Sequence, residues 1–130
     1  MVGVLVATHG RLAEEFLNSA AMLVGEKEQM SSVCVLPGQS PEEFLELAEK
    51  KVEELDTGDG VLALVDIAGG TPYNTMFRLS LTHQIRILTR VNLPMVMYCV
   101  MERSDEMTME ELIEALLENG RNEISEFGKR

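Results

Sequence analysis

Four short aliphatic runs constrain this chain more than any other feature: residues 2–7, 32–36, 61–65 and 85–89. Each is rich in Val, Leu and Ile and largely lacks the apolar–polar alternation of a strand with one wet face. Each therefore reads as a strand covered on both sides. Between them the period becomes helical. Leu12, Ala13, Phe16, Leu17, Ala20 and Val24 share one face, and Gly25 stops that helix. Phe44, Leu45, Ala48, Val52 and Leu55 form a second stripe, opened by Ser40 as cap, Pro41 in the first turn and Glu43 to complete a capping box. A third helix is predicted from Thr71 and Pro72 to about Leu81, and a shorter one from Pro94. A last one runs from Thr108, with Glu111 as its capping-box partner, to Gly120. The order β-α-β-α-β-α-β-α-α specifies an α/β fold: a doubly wound, mainly parallel sheet with helices on both faces and right-handed crossovers. The common strand order for such a sheet begins 2-1-3-4. No repeat, low-complexity segment or linker interrupts it, so residues 1–130 read as one domain.

The 130 residues suffice to bury a core, and a 45% hydrophobic content argues against disorder. The apolar runs are far too short to span a bilayer and no signal peptide opens the chain, which predicts a cytoplasmic protein. Lys and Arg number 11 against 22 Asp and Glu, a formal charge of −11. Such a surface repels phosphate backbones and anionic lipid, so neither nucleic acid nor membrane is a predicted partner. A phosphate handled here must be gripped locally, by backbone amides and hydroxyls. Cys34 and Cys99 sit in apolar stretches and read as buried free thiols. With no Cys-x-x-Cys and no His/Cys ligand spacing, no metal or cofactor is predicted. The nine methionines, Met95, Met97 and Met101 among them, read as core filling.

Two strands end in residues able to do chemistry. The first runs through VGVLVATHGR and leaves His9 at the handover to a helix; the third, GVLALV, ends at Asp66 and continues as DIAGGTPYN. In open α/β sheets ligands collect outside the carboxyl ends of the strands. With the order 2-1-3-4, strands one and three are neighbours and the winding reverses between them, so His9 and Asp66 face each other across the switch point. A carboxylate that accepts from one imidazole nitrogen fixes the other as the free nucleophile. It also stabilises the positive charge that develops as the ring attacks phosphorus. The surroundings suit that group. Gly10 and a helix start follow His9, Gly69 and Gly70 precede a helix at Thr71, and helix N-termini offer unpaired amides to an anion. The hydroxyls of Thr8 and Thr71 can donate to phosphoryl oxygens. Singly, each feature has an ordinary reading: a hydrogen-bonded structural histidine, a turn-capping aspartate, glycines serving turn geometry. Their combination at two strand ends points to phosphorylation of His9. His83 has no such setting and reads as a surface residue. Arg78, Arg86 and Arg90 read as exposed, solvated side chains, and the acidic faces at residues 42–54 and 106–118 as solvated helix surface.

The same stretches resemble a known family. ATHGRLAEEFLNSAAMLVGE, VCVLPGQSPEEF, LVDIAGGTPYN and RVNLPM are similar to the enzyme IIA component of mannose-family (mannose/fructose/sorbose) sugar phosphotransferase systems, in order and spacing over essentially the whole chain. THG after strand one together with D-x-x-GG-T/S-P-x-N after strand three is the specific combination. The resemblance implies a cytoplasmic phosphocarrier that takes a phosphoryl group from the phosphohistidine of HPr and passes it to a IIB partner. That partner phosphorylates a sugar as membrane permease components import it. His9 matches the phosphorylated histidine, with the phosphate on Nε2 and Nδ1 left to Asp66; Thr71, Gly69 and Gly70 match the loop around the phosphate. Ile67 and Ala68 stand where some members carry polar or aromatic residues. Because the chain ends at Arg130 with no fused IIB domain, the predicted acceptor is a separate protein. The resemblance also implies a homodimer. Residues 122–127 are the only candidate for an exchanged strand, and their alternation is poor.

Three other readings compete. A histidine phosphatase wants an arginine just before its His-Gly pair, where this chain has Thr8. A phosphocarrier serving a dihydroxyacetone kinase is closer, but GGTP after Asp66 looks more like the sugar-transport branch. A regulatory or binding module would carry the phosphohistidine only as a signal.

Overall fold

In the computed structural model, which describes residues 1–26, 28–122 and 124–128, four strands form one parallel sheet. They are β1 (Gly3–His9), β2 (Met30–Val35), β3 (Val61–Val65) and β4 (Ile85–Leu88), in the order β2-β1-β3-β4. The helices are α1 (Leu12–Val24), α2 (Pro41–Leu55), α3 (Gly70–Ser80), α4 (Leu93–Met101) and α5 (Met109–Asn122). This is the predicted doubly wound architecture with the predicted strand order. β2 begins earlier than its apolar run because backbone pairing extends to Val4↔Met30. Among the described residues, no helix is long and apolar enough to cross a membrane.

Strand alternation sorts the core into two layers. Val4, Val6, Leu62 and Leu64 point to the side of α1, α4 and α5, where they meet Ala13, Ala20, Val96, Cys99, Leu112 and Leu116. Leu5, Ala7, Ala63 and Val65 point to the other side, against Phe44, Ala48 and Val52 of α2 and Met76 and Leu79 of α3. Because both faces are dry, the strands show no alternation in polarity. The helix starts are locally encoded. Ser40 Oγ accepts from the Glu43 amide at 3.1 Å, Asn92 from Met95 at 3.0 Å, and Thr108 and Glu111 exchange both bonds of a full capping box. A cap contributes about 1 kcal/mol, whereas burying a side chain such as Phe44, which is wholly inaccessible, contributes about 1.5–3 kcal/mol. Packing, more than capping, therefore holds α2 in place.

Several expectations need correction. Gly120 does not end the last helix, which continues to Asn122. A Cβ on Gly120 would lie 3.3 Å from Met95 Sδ, so the glycine serves the close approach of α5 to α4 instead of a turn. Met95 is buried, but Met22 and Met101 are 90% and 58% exposed and fill no core. Cys99 is buried, which pushes its thiol up to about 12 against the opposing pull of Arg103, while Cys34 is only half-buried; both are free. Residues 124–128 form no strand, and Glu123 lies outside the described residues. Arg103, unremarked in the sequence, is 1% exposed. Its guanidinium donates to the carbonyls of Val2, Gln29 (3.1 Å), Glu28 (2.6 Å) and Cys99 (3.3 Å), tying the start of β1 and the approach to β2 to the end of α4.

Candidate functional site

The register Ala7↔Val65 between β1 and β3 sets the site, because it leaves His9 and Asp66 just past the last paired residues of adjacent strands. Asp66 Oδ2 accepts from the His9 backbone amide at 3.0 Å and from His9 Nδ1 at 2.9 Å, and Oδ1 accepts from the Ile67 amide at 3.0 Å. An ionised carboxylate can only accept, so Nδ1 carries a proton, and in the neutral ring Nε2 holds the lone pair. Burial pushes the Asp66 carboxyl up, but the bonds from the His9 amide, the His9 ring and the Ile67 amide outweigh it and hold the group below its ordinary value. The carboxylate is 14% exposed and the imidazole 47%, so the orienting group is sheltered while the free nitrogen is open to a partner.

Alternation also separates His9 from its neighbour. Thr8 points to the α1 side, is fully buried, and its hydroxyl accepts from the Ala13 amide at 2.7 Å, capping α1. It does not reach the imidazole side of the sheet, which corrects its assignment as a phosphoryl ligand. The Gly10 amide is likewise spent, donating to the Val35 carbonyl at 2.8 Å. Gly69 and Gly70 are where the sequence puts them. Gly70 opens α3 at φ 79°, with its backbone so close to His9 that a Cβ there would lie 2.9 Å from Cε1 and 3.0 Å from Nε2. No side chain caps α3, so its first-turn amides are unpaired beside the imidazole. Thr71 is half-buried in that turn and lines a shallow groove with Pro41, Asn74 and Arg78. Arg78, Arg86 and Arg90 are exposed, as expected.

Sequence reasoning missed two features. Because His9 pairs with Val35, the turn after β2 borders the site, closed by Leu36 N donating to Gln39 Oε1 at 3.2 Å. The flanking Ile67 is 51% exposed and Leu12 46%, an apolar rim beside a polar dyad. A cavity of about 610 Å³ lies elsewhere: it follows the outer edge of β4 between Tyr73, Phe77, Leu88 and Leu116, and neither His9 nor Asp66 lines it. Its lining carries Tyr73, Arg86, Arg90 and Arg121 but no carboxylate or imidazole. His83, expected at the surface, is 19% exposed and held between α2 and the turn after α3.

A carboxylate-bonded histidine at the switch point of a doubly wound parallel sheet, beside an uncapped helix start, defines a class: small α/β domains with a His–Asp pair at the carboxyl ends of adjacent strands. The family described as "PTS system fructose IIA component" matches residues 3–117, and the chain belongs to this mannose family of phosphotransferase-system IIA components. It is 34% identical over 124 residues to the mannose-specific EIIAB component of Escherichia coli K12, covering 95% of this chain and 38% of that protein. The chain thus spans less than half the length of that relative. It is also 33% identical over 101 residues to the sorbose-specific EIIA component of Klebsiella pneumoniae, 77% of this chain and 73% of that one. The solved mannose/sorbose-specific IIA subunit from Enterococcus faecalis is 25% identical, with a TM-score of 0.86 over 99% of this chain and 96% of that chain.

Proposed function

We propose that the chain is a cytoplasmic phosphocarrier that accepts a phosphoryl group from phospho-HPr on Nε2 of His9 and passes it to a separate IIB component, with residues 1–130 acting as one IIA domain. The observation that carries this reading is the 2.9 Å bond from Nδ1 to Asp66, which leaves Nε2 as the lone-pair nitrogen on a half-exposed ring. In the accepting step the Nε2 lone pair forms the new N–P bond. The P–N bond in HPr breaks, and its electron pair returns to the HPr imidazole. The His9 ring keeps its Nδ1 proton and becomes cationic, and Asp66 balances that charge. The first-turn amides of α3 at Gly70 and Thr71, with the Thr71 hydroxyl, supply donors for the phosphoryl oxygens, and Gly69 shapes the entry to that turn. Attack by a IIB nucleophile reverses the sequence, and the permease components are served only through IIB.

A homodimer belongs to the same reading. β4 pairs only with β3 among the described residues, the apolar cavity runs along its free edge, and Ile124 and Phe127 are 85% and 91% exposed. The deciding experiment is incubation with phosphoenolpyruvate, enzyme I and HPr, followed by a chase with IIB. One acid-labile, base-stable phosphate is expected on His9, absent from His9→Ala and discharged by IIB. Label on His83, or none, overturns the proposal; label that IIB cannot discharge leaves a signalling module instead of a carrier.

A further inference from the structure

We propose that Glu49, Glu53 and His83 form a binding site for a divalent cation of the zinc type, at the end of the sheet opposite His9. Among the described residues, these are the His, Cys, Asp and Glu side chains whose ligand atoms lie within 4.8 Å of one another. The sequence predicted no metal because its spacing carries no ligand signature. Two glutamates one turn apart on α2 and a histidine thirty residues further on become neighbours only once α2 packs beside α3. His83 precedes β4 whereas His9 closes β1, and the strands are parallel, so the two imidazoles stand at opposite ends of the sheet.

The distances fit ligands around one shared ion as well as a long hydrogen bond to Glu53. Nε2 of His83 lies 3.4 Å from Glu53 Oε2 and 3.7 Å from Glu49 Oε2. A well-formed N–H···O bond closes to about 2.7–3.2 Å. Around a tetrahedral ion with bonds of about 2.0–2.2 Å, neighbouring ligand atoms stand about 3.3–3.6 Å apart. The far side of the ring supplies an independent observation. Nδ1 lies 3.3 Å from the Leu79 carbonyl and 2.9 Å from Thr82 Oγ1. A proton on Nδ1, donated to Thr82 Oγ1 while that hydroxyl donates to the Leu79 carbonyl at 3.4 Å, turns the Nε2 lone pair toward the carboxylates, the outer-partner arrangement that orients metal-bound histidines. Without a cation, that lone pair and two carboxylates repel one another, as like charges four residues apart on a helix already do. One imidazole and two carboxylates suit zinc better than magnesium or calcium, which prefer oxygen throughout. Glu49 and Glu53 are 45% and 63% exposed, leaving room for a water as fourth ligand. The ion's role is structural: it pins α2 to the turn between α3 and β4.

The test uses the full chain carrying His9→Gln, which removes the other imidazole as a competing ligand, titrated with zinc chloride by calorimetry and by nitrogen-resolved NMR of the His83 ring. The expected result is one equivalent bound, with the Nε2 resonance of His83 shifted and Nδ1 protonated. Magnesium chloride at the same concentration produces neither effect. His83→Gln and Glu53→Gln each weaken zinc binding at least about tenfold, the lower end of what even outer partners of a metal ligand contribute. If His83→Gln fails to fold, Glu49→Gln combined with Glu53→Gln at exposed positions decides the question. Zinc binding that survives these substitutions overturns the site, as does the absence of saturable binding. A His83 ring that stays protonated on both nitrogens with zinc present also overturns it, since it shows an imidazolium bridging the two glutamates.

Discussion

Asp66→Asn separates charge from shape at the dyad. The carboxylate accepts three bonds: His9 N at 3.0 Å and Nδ1 at 2.9 Å on one oxygen, and Ile67 N at 3.0 Å on the other. An amide offers one accepting oxygen. If that oxygen stays with His9, the NH2 group meets the Ile67 N–H; Nδ1 keeps its proton and only the charge is lost. If it turns to Ile67, the NH2 group meets the His9 amide and donates to Nδ1, which moves the ring proton to Nε2 and removes the nucleophilic lone pair. Each arrangement keeps two bonds and leaves one donor facing a donor, costing about 1–3 kcal/mol of stability. A domain stable by about 5–15 kcal/mol remains folded. Loss of an electrostatic contact to developing charge costs about 10²–10³ in rate, and an orienting carboxylate whose amidation imposes the wrong tautomer costs about 10⁴. Rapid-quench transfer from labelled phospho-HPr should therefore slow by about 10²–10⁴, equivalent to about 3–5 kcal/mol. Ring NMR reports the tautomer in the same sample. A folded variant that accepts phosphate at the wild-type rate refutes the reasoning and reduces Asp66 to a turn cap.

Gly70→Ala puts a Cβ at 2.9–3.0 Å from the His9 ring and a side chain at φ 79°, so the ring must move. Misplacement on the 1 Å scale costs about 10²-fold, and quench-flow should show a loss of about ten- to a hundredfold, with thermal melts showing about 1–2 kcal/mol of destabilisation. Arg103→Ala strands the buried Val2 carbonyl and removes the part-buried bond to the Glu28 carbonyl, and urea denaturation should show a loss of about 1–3 kcal/mol with phosphoryl acceptance intact in the folded fraction. The Asp66 carboxyl is held below its ordinary value, so its stabilisation is complete above the unfolded value of about 3.9 and is lost as pH falls through the lower folded one. The stability difference between wild type and Asp66→Asn should not shrink from pH 7 to 5 and should collapse below about pH 4; a loss between pH 7 and 5 contradicts that assignment.

The strands were legible because a dry sheet needs unbroken aliphatic runs, and β3 falls on Val61–Val65, the run itself. Helix starts were legible where the signal is chemical, as at Ser40 and Thr108, whose side chains make the bonds their spacing implies. Proximity of His9 and Asp66 followed from strand order and parallel register. What failed lay in orientation and in contacts between distant segments. Thr8 and His9 are adjacent in sequence, yet the two-residue period of a strand sends them to opposite faces, a rule the sequence already contained. Gly120 reads as a stop signal until Met95, on another helix, shows why its Cβ is missing. Arg103 goes unremarked in the sequence, because the carbonyls it satisfies come from three separate parts of the chain. His83 gains its two glutamates only through the packing of α2 beside α3.

The openness of the His9 ring has a kinetic consequence. One nitrogen on one face must serve both the donor and the acceptor of the proposed relay, and two proteins cannot occupy that face together. Turnover should then follow a double-displacement scheme, with double-reciprocal plots of rate against phospho-HPr forming parallel lines at different IIB concentrations. An excess of unphosphorylated IIB should compete with phospho-HPr for the empty carrier, so transport flux would pass through a maximum as the acceptor is raised. A sheltered imidazole fed from two sides would show neither behaviour.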